Sequence, residues 1–177
     1  MKRNRLFTLA LAILTIASFI LTGCEKKEVA LTLDAPFTKM DWDSTLEDVI
    51  AAEGEDYETY DSVYNGTTYT FNKKFEDKDG IIKYMFDDKE KLMCVAWTYG
   101  STEIKELENL YNKINDDVTD KHGDSGYTAD TNTGINNYGN IWYLETGDIV
   151  ISTMMTEENK ALQYAYLHPD VSYSKED

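Results

Sequence analysis

The chain has 177 residues, room for one ordinary domain, and carries 17 Lys+Arg against 33 Asp+Glu, a formal charge of −16. Lys2, Arg3 and Arg5 precede the first apolar run, so everything after residue 23 carries −19. Nucleic acids and anionic lipid surfaces call for clustered cations, so this balance argues against both, and 42% hydrophobic residues with 13 Tyr, 6 Phe and 3 Trp argue against disorder.

The N-terminus reads as an address. After the cationic start, Leu6 to Leu21 runs 16 residues without a charge. A spanning helix needs ~20 apolar residues, so this run suits a signal-peptide core. Leu21-Thr22-Gly23-Cys24 follows, and it resembles a bacterial lipobox. The resemblance implies a signal peptide over 1–23, cleaved just before Cys24, with two or three acyl chains (a palmitate-type modification) on Cys24. One acyl chain anchors marginally and a second makes anchoring stable. The expected location is the extracytoplasmic face of the cell membrane. With Cys24 acylated, Cys94 has no intramolecular partner. Its setting, Leu92-Met-Cys-Val-Ala-Trp-Thr-Tyr99, makes it a small buried filler.

Residues 24–36 read as the lipidated Cys and a tether, 37–168 as a single domain and 169–177 as a polar tail. Ser44-Thr-Leu-Glu47 matches a capping box, and Leu46, Val49 and Ile50 share a helical face that Gly54 ends. The spacing predicts a helix over 44–53. Residues 57–99 switch to strand patterns. Asn65-Gly66 is a hairpin signal and Asp79-Gly80 a second turn. Leu92–Tyr99 is apolar on both faces and reads as a central strand. A longer helix opens at Ser101 or Thr102 with Ile104, Leu107, Tyr111, Ile114 and Val118 on one stripe, and Gly123 stops it. Residues 123–139 read as an irregular connection; strands follow over 140–145, 148–155 and 160–168.

The expected fold class is α+β, an antiparallel sheet with two helices packed on one face. The order is α-β-β-β-β-α-β-β-β, in two helix-plus-strands units near 37–99 and 101–168. Phe37-x4-Trp42-x-Ser44-x2-Glu47-Asp48-Val49 followed by Tyr69-Thr-Phe71, then Lys121-His122-Gly123 and Ile141-Trp142-Tyr143, resembles small extracytoplasmic lipoproteins of Gram-positive bacteria. The tandem units resemble the β-lactamase inhibitor protein fold and, more distantly, SmpA/OmlA-type lipoproteins. The resemblance implies protein binding without catalysis.

Catalytic motifs are missing from the sequence. His122 and His168 sit at predicted element ends, and Ser172-x-x-Lys175 falls in the tail with no helix to hold it. No catalytic residue, cofactor or metal ligand set is therefore assigned. An EF-hand alignment at Asp79-Gly80 puts Phe75 and Phe86 where oxygens are needed. A looser set, Asp124, Asp130 and Asn132, leaves a solute- or cation-binding lipoprotein using the 123–139 loop as one alternative, and a cell-envelope enzyme as another. The informative constellation is aromatic. Alternation places Trp97 and Tyr99 on one face of the fourth strand and Tyr164 and Tyr166 on one face of the last, with Cys94, Ala96 and Ala165 opposite. Either the small residues lie under the helices and Trp97, Tyr99, Tyr164 and Tyr166 form an open interaction face, or the aromatics are the core beneath the helices. The partners expected are the membrane, through the lipid on Cys24, and a neutral or cationic protein at the cell surface.

Overall fold

A computed structural model describes residues 31–129, 139–155 and 160–172. Its elements are α1 (Leu46–Glu53), β1 (Glu58–Asp61), β2 (Asn65–Phe75), β3 (Lys78–Asp87), β4 (Leu92–Gly100), α2 (Ile104–His122), β5 (Tyr127–Thr128), β6 (Gly139–Leu144), β7 (Gly147–Met155) and β8 (Lys160–Leu167), with a 3-10 turn at Pro169–Val171. The class is α+β. One eight-stranded antiparallel sheet runs β1-β2-β3-β4-β8-β7-β6-β5. The last strand therefore returns to the middle and lies against β4, with Val95 opposite Tyr166 and Trp97 opposite Tyr164. The sequence reading is one strand short. Tyr127–Thr128, inside the connection expected to be irregular, pairs with Asn140 and Ile141.

Cap and turn chemistry moves three boundaries. The capping box forms one residue later than expected, with Thr45 as cap and Asp48 returning to the Thr45 backbone at 2.9 Å, while Ser44 Oγ accepts from the Asp41 N–H. The β2–β3 turn is not Asp79-Gly80. It is the two-residue loop Glu76-Asp77, both with φ near +50° to +60°, flanked by the pair Phe75↔Lys78. Gly80 serves packing instead. A Cβ there would lie 2.6 Å from Trp97 Cε2, and the Trp97 ring crosses β3 at this point to donate from Nε1 to the Lys73 carbonyl, 3.0 Å away. At the first hairpin, Asn65 is likewise not half of a two-residue turn. It takes φ +66° after a turn closed by Asn65 N–H to Ser62 O at 3.1 Å.

Both helices cover the same face. Val49 of α1 and Leu107, Leu110, Tyr111, Ile114 and Val118 of α2 join one buried cluster with Phe71, Ile82, Tyr84, Val95, Trp97, Ile149, Ile151, Tyr164 and Tyr166. A helix rides about 10 Å above a sheet, and large side chains fill that gap at native density where Ala and Cys would leave voids. All three tryptophans lie here, and each donates its indole N–H to a backbone carbonyl: Trp42 to Thr146, Trp97 to Lys73 and Trp142 to Gly123. Glu53 at the end of α1 accepts from Tyr84 Oη at 2.8 Å and pairs with Lys73, clamping α1 to β2 and β3.

Candidate functional site

The open aromatic face does not exist. Trp97 is 0% exposed, and Tyr164 and Tyr166 are buried, while Tyr99 is half-buried and stacked on Trp97 at 5.9 Å with 7° between the rings. These four residues line the helix side of the sheet, because the layer beneath α2 needs their volume. Cys24 lies outside the described residues. So do Asp130 and Asn132; Asp124 is exposed.

The remaining candidates from the sequence have structural partners. His168 is buried; its Nδ1 accepts from the Asp170 N–H at 3.0 Å, and its ring meets Trp42 edge-on. Ser172 Oγ donates to buried Asp148 at 2.6 Å. Burial pushes the Cys94 thiol up to about 12, so no thiolate forms at neutral pH. Among the described residues no group of three or more His, Cys, Asp or Glu side chains could hold a metal ion. No described helix is long and apolar enough to cross a membrane.

Two features remain that the sequence reading missed. The first is the helix-free side of the sheet. Its central row runs Thr70, Lys83, Ala96, Ala165, Val150 and Ile141, strand by strand across the sheet. The next row carries Asn72, Ile81, Thr98, Gln163 and Ser152. Cys94, Ala96, Ala165 and Leu167 form a small buried cluster here, flanked by Tyr64, Met85, Val150 and Val171. Ile81 (44%) and Met154 (57%) stand exposed. Carboxylates keep to the margin: Glu58 on the outermost strand and Asp79 and Asp87 at the ends of β3. Asp148 points to this side but is fully buried. The signal was present in the sequence as the alternate positions in the middle of β3, β4, β7 and β8, between Asp79, Asp87 and Asp148, where no acid falls, but it has meaning only once the covered face is known.

The second is a cleft of about 190 Å³ on the opposite side, at the C-terminal end of α2. Its floor is Phe75, Tyr164 and Tyr166, and its rim Asp34, Glu76, Asp117, Lys121 and His122. The two tyrosine hydroxyls are 2.8 Å apart. Burial raises both phenols, Tyr164 to about 12, so they stay protonated. Burial and the neighbouring Lys121 lower the His122 imidazole from its ordinary value, against a smaller opposing pull from Asp34, and the net lowering favours the neutral ring at pH 7. A larger hollow of about 350 Å³ beside the start of α1 is lined by Glu47, Asp87, Asp88 and Glu90. There Asp87 is spent on the turn, accepting from the N–H groups of Lys89 and Lys91. No match to the chain was found among protein-family models, curated proteins or solved structures.

Proposed function

We propose that this chain is a lipid-anchored bacterial lipoprotein, held through Cys24 on the extracytoplasmic face of the cell membrane, and that its domain is a non-catalytic module binding a protein through the helix-free sheet face. One observation carries the binding part. On a chain with −19 beyond residue 23, the middle of that face has no exposed carboxylate among the described residues. A solvated face gains nothing by excluding acids. A face that docks does, because burying an unpaired carboxylate costs several kcal/mol. The mixture of Thr, Gln, Asn and Ser with exposed Ile81 and Met154 suits an interface whose core is short of charge. The domain's own field repels anionic polymers and favours neutral or cationic proteins.

The anchoring part rests on the cationic start, the apolar run and the Leu21–Cys24 tetrad. The tandem reading gains support from the sheet order, in which β1–β4 and β5–β8 each form a meander preceded by one helix. Two experiments test the proposal. Intact lipoprotein, used as bait on solubilised membranes, should retain a protein partner that Ile81→Glu and Met154→Glu lose without a change in melting temperature. Equal capture by the variants would remove the sheet face from the account. Cys24→Ala should abolish acylation and precursor cleavage; unchanged processing would remove the anchor.

A further inference from the structure

We infer that the cleft at the C-terminal end of α2 is a binding site for a small organic ammonium ion. It lies on the helix side of the sheet, away from the face proposed to bind protein, so either reading can fail alone. The floor supplies aromatic surface held in place. Phe37 meets Phe75, Tyr164 and Tyr166 edge-on, with ring centroids 5.7, 5.2 and 5.9 Å away, and Tyr164 and Tyr166 are tilted against each other at 5.4 Å. Rings fixed by such contacts line the cleft without needing to reorganise, and an ammonium is attracted to aromatic faces within ~6 Å of the ring centre. The hydroxyl pair adds phenolic oxygens whose lone pairs accept from an N–H or a ligand hydroxyl.

The rim fixes the sign of the ligand. Asp34, Glu76 and Asp117 face the cleft, with Lys121 as the charged counterpart and His122 neutral. Lys121 is engaged by Asp34, and Lys113, just outside, bridges Glu76 and Asp117. The carboxylates outnumber the lysines even with Lys113 counted, so an anion meets net repulsion and a cation net attraction. Size fixes the class. About 190 Å³ falls below the ~300–1,000 Å³ of sites for drug-sized ligands, so the cleft suits a head group of a few heavy atoms. A fully hydrated metal ion would find no convergent oxygen cage here, whereas an alkylated ammonium sheds its water easily and packs on rings.

The test titrates the full-length chain in detergent with choline. Binding is followed by calorimetry and by the ring-proton resonances of His122 and Tyr164. Choline should bind saturably and move those resonances, while its uncharged isostere 3,3-dimethylbutan-1-ol should not. Asp34→Asn and Asp117→Asn change exposed positions and should weaken binding by roughly threefold to fivefold. Phe75→Leu keeps an apolar side chain but removes a ring face, and should abolish binding while the melt records its folding. Absence of saturable binding, equal binding of the neutral alcohol, or full affinity in both Asp variants would overturn the assignment. Sodium chloride at matched ionic strength separates a seated ligand from simple screening.

Discussion

Trp97 carries the sharpest consequence at the scale of single residues. It stacks on Tyr99, meets Phe75 edge-on at 5.2 Å and is fully buried. Trp97→Ala should therefore cost about 3–5 kcal/mol in urea denaturation. An unmoved midpoint would put the ring back at the surface. Gly80→Ala tests the same contact from the other side. Its Cβ would meet Trp97 Cε2 at 2.6 Å and the Thr98 carbonyl at 2.7 Å, so the strand or the ring must shift, at about 1–3 kcal/mol. Period-2 alternation correctly grouped Trp97 with Tyr99 and Tyr164 with Tyr166. It was silent on which group the helices cover, because β4 is apolar on both faces and alternation carries no sign. Asp79-Gly80 misled for a related reason. A glycine required by a ring lying over it looks, in sequence, the same as one required by a turn.

At the scale of elements, α2 was the most legible. Its stripe is buried as spaced from Leu107 to Val118, but Ile104, read as its first member, is exposed at the first residue of the helix; Leu107→Ala should cost about 2–5 kcal/mol in a calorimetric melt. Its start was less legible, since the cap position, Glu103, makes no side-chain cap. Ser101 instead accepts from the Glu103 N–H and donates to Glu106, which also binds Lys78 at the head of β3. Lys78, then Ser101, holds the Glu106 carboxyl at about 2 against its ordinary 4.5. A carboxyl depressed in the folded state lends its full stability above the unfolded value and loses it as pH falls toward the folded one. The stability difference between wild type and Glu106→Gln should therefore hold above pH 4.5 and shrink between 4.5 and about 2. A difference independent of pH across that window would mean the carboxylate contributes no charge interaction. The two-residue β5 escaped notice because Tyr127–Thr128 is too short to show a period and is held by its pairing with β6.

At the scale of the molecule, charge and layering together make the argument. The helices and most of the large buried aromatics occupy one side of the sheet, and the middle of the other side carries no exposed carboxylate among the described residues. That division was invisible in composition, which counts carboxylates but not where a sheet points them. The most direct test of the proposed binding face is site-specific photo-crosslinking in intact cells. A benzophenone side chain replaces Gln163, in the middle of the helix-free face, or Lys105, exposed on α2. The account expects a discrete protein adduct from position 163 and none from position 105. An adduct from 105 alone, or none from either position, would contradict it.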